Sequence, residues 1–322
     1  MAANEQKAGF MEYAGSLGFH VPHLDRYYEA LKRGEAEKLV LSNLERKFDG
    51  QAFTYELYFG NREGEPALTG FRATTLLLPG LAHDMHEGIA TAGLELFMGF
   101  IRWRHPPEAD SPGLEQQIVN DLDRLTNSSV AQARQIADVL KARYWTGTRM
   151  DGQVDHDRIK ALYERSCYFG LEGTDSDITA KEAASLLSGR YMLKRYMPHW
   201  IGVVPANPGD QTTCRLKEYP DLPLGDHLRR LPLKELSDEA SIIGMLLKMF
   251  RGEQVRATLV AKNGSYQVFL VADPKEKTVS VLNPLGRPVN LEKLLGPDRA
   301  KGHLQQQSGS PKKRGRNKGP SL

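Results

Sequence analysis

His83-Asp84-Met85-His86-Glu87 is the densest set of potential metal ligands in the chain. On a helix, His83, His86 and Glu87 share one face at three- and four-residue spacing, and two imidazoles with a carboxylate suit a divalent cation. On this reading the segment is the metal site of a hydrolase, with His156-Asp157 supplying further ligands from later in the sequence. It matches neither H-E-x-x-H nor a complete histidine-aspartate hydrolase set. The competing reading is a polar helix start, in which Asp84 and Glu87 complement the helix dipole and the histidines face water. The second reading is favoured, so no catalytic residue, metal or cofactor is expected.

Cations and aromatic rings alternate in Arg190-Tyr191, Lys194-Arg195-Tyr196 and His199-Trp200. Such a mixture can follow a phosphate backbone while stacking on unpaired bases, which makes Arg190, Lys194, Arg195 and Trp200 candidate nucleic-acid contacts. In a strand, half of these side chains face the core, and Tyr191 or Trp200 would there be structural. The strongest electrostatic feature is C-terminal. Residues 299–322 hold 7 of the 43 basic side chains and no acid, leaving 36 basic against 40 acidic residues before them. Lys312, Lys313, Arg314, Arg316 and Lys318 can neutralise phosphates and release counterions. The alternative for this arm is a solvated tail that aids solubility.

Cys167 and Cys214 are the only cysteines, lie far apart in sequence, and form no C-x-x-C, so both read as small core residues. Nothing near either in sequence serves as an activating base. The chain contains no P-loop, no dinucleotide-binding glycine pattern and no G-x-S-x-G, which lowers the expectation of an enzyme.

The elements that position these residues follow from periodicity. Leu24, Tyr27, Tyr28 and Leu31 make the apolar face of a helix over 23–33, and Phe53, Tyr55, Leu57 and Phe59 alternate with polar residues as a half-buried strand. A turn at Gly60–Gly64 leads to a second strand over 67–78. From Pro79 to Asp175 the pattern is helical. Met85, Ile89, Ala92, Leu96, Phe97, Phe100 and Trp103 lie on one side of a cylinder that needs a partner. Stripes beginning at Ile118, Ile136 and Ile159 complete a small bundle. Thr179-Ala180-Lys181-Glu182 is a capping box opening a short helix. A strand-like stretch over 191–204, a helix over 240–250, and strands starting at Val255, Tyr266 and Thr278 follow, with Asn263-Gly264 as a tight hairpin turn.

Three blocks resemble a family of proteins of unknown function encoded on Bacteroidetes plasmids and conjugative elements. They are Tyr55-Glu56-Leu57-Tyr58-Phe59, the stretch from Asp177 through Thr179, Glu182 and Leu187 to Arg190, and a C-terminal block. The last contains Pro232-Leu233-Lys234-Glu235-Leu236, Phe269, Ala272, Asp273-Pro274 and Lys277-Thr278. The similarity spans about two-thirds of the chain; the segment 80–175 departs from the family pattern and resembles an insertion. The resemblance implies an accessory role on a mobile element and supplies no catalytic residues.

The sequence thus predicts an α+β protein: two small helix-plus-antiparallel-meander modules at 1–79 and 176–298, flanking a helical insertion at 80–175, with a disordered basic tail at 299–322. Apolar runs are too short to span a bilayer, and the polar N-terminus is unlike a secretory signal, so a cytoplasmic location without membrane association is expected. The expected function is that of a non-enzymatic accessory protein of a mobile genetic element, an interaction module with weak binding to DNA or RNA through the tail and an unidentified protein partner. The alternatives are the metal-dependent hydrolase and a protein scaffold without nucleic-acid affinity.

Overall fold

A computed structural model describes residues 2–106, 112–194, 199–207, 212–261, 263–284 and 286–295. The architecture is α+β, as the periodicities require. The chain forms two compact units, one of residues 1–188 with 203–216, the other of 189–202 with 217–322.

The first unit opens with helices α1 (Ala2–Ser16) and α2 (Leu24–Lys32), followed by the antiparallel meander β1 (Leu39–Phe48), β2 (Gln51–Arg62) and β3 (Glu65–Leu76). Both turns are set by two-residue X-Gly loops. Asp49-Gly50 has φ of 51° and 79°, and Glu63-Gly64 has 53° and 84°, the left-handed pair that matches the twist of a hairpin. Asp49-Gly50 is a strong local signal, but the strand it closes, β1, has too irregular an apolar pattern to be read by alternation. It lies at the sheet edge and carries a bulge between Leu41 and Leu44. An interrupted edge of this kind discourages pairing with other chains.

Phe53, Tyr55, Leu57 and Phe59 are buried, Phe59 against Phe10 of α1 and Tyr27 of α2, with Phe19 set edge-on to Tyr55 at 5.5 Å and to Phe71 at 5.0 Å. After β3 the chain enters the helical insertion: a small hairpin of β4 (Met85–His86) and β5 (Ile89–Ala90), then α3 (Thr91–Phe100), α4 (Pro112–Thr126), α5 (Ala131–Trp145) and α6 (His156–Tyr163). The insertion has its own core, built from Leu94, Met98, Ile118, Leu122, Leu140 and Trp145 among others. The chain returns as β6 (Glu164–Gly170), antiparallel to β3, and enters α7 (Ala180–Leu187).

The expected capping box is present at α7: Thr179 accepts from the Glu182 amide and Glu182 accepts from the Thr179 amide. This helix belongs to the first unit rather than opening a separate C-terminal module at residue 176. The Tyr55 hydroxyl donates to the Ala180 carbonyl at 2.8 Å, and the Ala180 amide donates to Leu17 at 2.8 Å. These bonds join residues more than a hundred positions apart, which no local pattern could announce.

In the second unit, β7 (Met192–Leu193) pairs with the start of β8 (Trp200–Pro205). Strands β8 and β9 (Thr213–Tyr219) each run from one unit into the other, and the first residues of β9 pair in parallel with β6. Helices α8 (Leu224–Arg230) and α9 (Glu239–Phe250) precede the meander β10 (Val255–Ala261), β11 (Gly264–Asp273) and β12 (Thr278–Leu282), and α10 (Leu291–Leu295) ends the described chain. The β10–β11 hairpin closes with Ala261 opposite Gly264, so the chain reverses one residue earlier than an Asn263-Gly264 turn would place it.

The outer edge of β10 is covered by the Pro232–Leu236 block. The Val260 amide donates to Pro232 at 2.8 Å, and both oxygens of Glu235 accept from the Thr258 amide at 3.0 Å. A carboxylate here takes the place of a neighbouring strand. Burial alone would raise the Glu235 pKa, but hydrogen bonds from the Thr258 amide and hydroxyl and from its own backbone, with the nearby Lys234 charge, together hold it below its ordinary value.

Candidate interaction surface

The His83–Glu87 segment is not helical. Met85-His86 and Ile89-Ala90 are paired strands, and Glu87-Gly88 between them has φ of 52° and 75°, the same X-Gly turn as in the main meander. The glycine at 88 decides the outcome, because a tight turn with positive φ reverses the chain before a helical face can form. His83, His86 and Glu87 therefore do not share a face.

Each of the three makes its own local arrangement. His83 Nε2 lies 2.7 Å from Glu95 Oε2 and its Nδ1 3.2 Å from Thr91 Oγ1, so both ring nitrogens face protein oxygens. Glu87 Oε1 accepts from the Ser128 hydroxyl at 2.6 Å. His86 Nε2 is buried, without a hydrogen-bond partner among the described residues. His156 lies on α6, its Nε2 3.1 Å from Asp151. Among the described residues no three His, Cys, Asp or Glu side chains converge to hold a metal.

The bonds of this segment anchor α3. Glu95, in the middle of that helix, accepts from Arg143 on α5, contacts His83, and accepts from the Tyr144 hydroxyl at 3.4 Å. Leu94 and Met98 face the insertion core, and the Met98 carbonyl accepts from Trp103 Nε1 at 2.9 Å. With that side of the helix committed inward, the other side is left in solvent: Leu96 is 59% exposed, Phe97 47% and Phe100 73%, with Met85 of the hairpin at 60%. The expected single helical face is thus divided: Met85 and Ile89 lie in the hairpin, Ile89 and Trp103 are buried in the insertion core, and Leu96, Phe97 and Phe100 stay uncovered by the described residues.

Beside it runs an open cleft of about 320 Å³ between α3 and α4, lined by Gly93, Leu94, Phe97, Leu114 and Ile118, with Asp121 and Arg124 at its polar side. Gly93 has no neighbouring heavy atom within 4 Å of the place its Cβ would occupy, so the cleft is open there. Leu96, Phe97 and Phe100 are thus large apolar side chains grouped on one helix and exposed to water.

The cation-aromatic stretch behaves differently from its nucleic-acid reading. Trp200 is fully buried against Phe250, with ring centroids 5.8 Å apart, and Arg190 and Lys194 are each 7% exposed. Side chains inside the fold cannot follow a phosphate backbone or stack on bases, which corrects the assignment of Arg190, Lys194 and Trp200 to a nucleic-acid surface. Trp200 is part of the second unit's core, and Arg190 and Lys194 share the buried side of their short stretch with Met192. Arg195 lies outside the described residues, as do Lys312, Lys313, Arg314, Arg316 and Lys318.

An aromatic pair that sequence reasoning did not single out lies on the open side of the first unit's sheet. Tyr58 and Tyr168 meet edge to face at 5.5 Å, Arg72 donates to the Tyr58 hydroxyl at 3.3 Å, and Glu56 pairs with Arg72 at 3.6 Å. The Tyr168 ring lies across Gly70, where even a Cβ would fall 2.1 Å from its hydroxyl oxygen. The available signal was the glycine between Thr69 and Phe71 in an otherwise regular strand.

No family model, curated protein or solved structure matches the chain. Among the described residues no helix is long and apolar enough to cross a membrane.

Proposed function

We propose that this is a non-enzymatic interaction protein whose helical insertion receives an amphipathic helix of a protein partner. The observation that carries this reading is the exposed row Leu96, Phe97 and Phe100 beside the α3–α4 cleft. Three large apolar side chains on one helix are costly to hydrate. A partner helix with apolar residues at i, i+3 or i+4 and i+7 would cover them while its flanks meet Asp121 and Arg124. An accessory role on a mobile element is the setting that the sequence resemblance suggests for this activity.

A photo-crosslinking phenylalanine analogue at position 100, in the full chain expressed in its native host, tests it. The expected result is a discrete adduct whose cross-linked peptide lies on an amphipathic helix of one partner. Replacing both Phe97 and Phe100 by serine should reduce partner recovery at least ~10-fold with stability changed by no more than ~1 kcal/mol, because both side chains are exposed. A diffuse adduct pattern, or undiminished recovery with the double variant, would overturn the reading.

A second reading, weak nucleic-acid binding by the C-terminal arm, is favoured by the seven bases without an acid in 299–322. Deleting 311–322 should lower affinity for single-stranded DNA or RNA at low salt and flatten its salt dependence, measured by fluorescence polarisation. Unchanged binding would remove the arm's role.

A further inference from the structure

The only two cysteines of the chain, 47 positions apart, are brought together by the fold. Cys167 on β6 and Cys214 on β9 are register partners in adjacent parallel strands. Register partners leave the sheet on the same face, and neighbouring strands lie ~4.8 Å apart, within the ~4.4–6.8 Å between Cα atoms that a disulfide bridges. The Cys167 thiol already points across the ladder, with its sulfur 3.3 Å from the Cys214 carbonyl oxygen.

Their location gives the pairing a purpose. The parallel ladder between β6 and β9 is two residue pairs long among the described residues, Ser166 with Thr213 and Cys167 with Cys214, flanked by the Ser166 amide donating to Thr212 at 2.7 Å. A ladder this short is a weak attachment for the segment 203–216, by which the chain returns to the first unit before leaving it again. Both cysteines stand in it.

We propose that Cys167 and Cys214 are a reversible redox pair, oxidised by glutathione disulfide to an intramolecular disulfide that locks β9 onto β6. Cys214 is half-buried and Cys167 is 1% exposed. Burial, with Cys214 beside it, pushes the Cys167 thiol up to about 12, so the first attack belongs to Cys214. The Cys214 thiolate attacks one sulfur of glutathione disulfide, forming a mixed disulfide and releasing one glutathione thiolate. Cys167 then gives up its proton and attacks the Cys214 sulfur, displacing the second glutathione, which takes a proton from solvent. Two protein thiols are oxidised and one glutathione disulfide is reduced to two glutathiones.

The full-length reduced protein is incubated with glutathione disulfide and followed by intact mass, non-reducing peptide mapping and hydrogen exchange. The expected course is a transient single glutathione adduct followed by a Cys167–Cys214 cross-linked peptide, with exchange at the amides of 213–216 slowed at least ~10-fold and restored by reductant. Cys167→Ser should stop at a stable adduct on Cys214, and Cys214→Ser should acquire no adduct on the same timescale. A wild-type chain that ends as a glutathione adduct, cross-links between molecules, or stays reduced would overturn the proposal, and that outcome does not depend on how either variant folds.

Discussion

Trp145→Ala is expected to lower stability by about 3–5 kcal/mol, the cost of removing a large ring from a packed interior. Trp145 is fully buried at the centre of the insertion core, edge-on to Trp103 at 5.6 Å and with the Lys141 ammonium 5.7 Å from its ring. Because that core is made from the insertion's own residues, the loss should appear first as faster hydrogen exchange between residues 81 and 163, with β10–β12 little changed. Trp145 Nε1 has no hydrogen-bond partner among the described residues. Trp145→Phe keeps most of the ring volume and removes that unmatched donor, so it should cost only about 1–2 kcal/mol. Urea midpoints of the three proteins check the order. Equal losses for alanine and phenylalanine would mean that the indole nitrogen matters more than packing. The result bears on the proposed partner-helix surface, since Leu94 and Met98 of α3 belong to this core.

The second large effect belongs to Asp177, which ties α1 to the loop before α7. Its carboxylate accepts from the amides of Glu172 at 2.9 Å, Gly173 at 2.7 Å and Thr174 at 2.8 Å, and from the Tyr13 hydroxyl. Burial by itself would raise the Asp177 pKa, but the Tyr13 hydroxyl and the three amides together hold it below its ordinary value. Removing the acceptor strands several donors at once, so Asp177→Ala should cost about 2–4 kcal/mol near pH 7. Asp177→Asn keeps one acceptor oxygen and should lose less.

The pH dependence has a definite sign. A carboxylate with a depressed folded pKa stabilises the fold above its unfolded value, ~3.9, and this contribution fades as pH falls from there through the folded value. The stability gap between wild type and Asp177→Asn, from urea unfolding, should therefore be constant above ~pH 5 and shrink below ~pH 4. A gap that widens on acidification would show that the carboxylate is not held ionised by these donors.

Local elements were legible in the sequence where a short-range rule governs them. The alternation of Phe53 to Phe59, the stripe of Leu24, Tyr28 and Leu31, the Thr179–Glu182 box and the apolar α9 are settled by side-chain period and by bonds within one helical turn. The same kind of rule, the X-Gly turn, was present at Glu87-Gly88 and outweighed the helical spacing of His83, His86 and Glu87. The charge division between body and C-terminal arm is likewise a property of the sequence alone.

Tertiary structure decided the rest. Which cations are buried depends on what packs over both sides of a strand, so Arg190, Lys194 and Trp200 went into the fold although their composition suits a surface. Which apolar face stays bare depends on which side of α3 its neighbours claim, and Glu95, held by Arg143 and His83, turns Phe97 and Phe100 outward. The meeting of Cys167 with Cys214 needs the chain to leave the first unit and return to it in parallel register. Such long-range pairings arise from the joint packing of segments far apart in sequence, and a window of neighbouring residues carries no record of them.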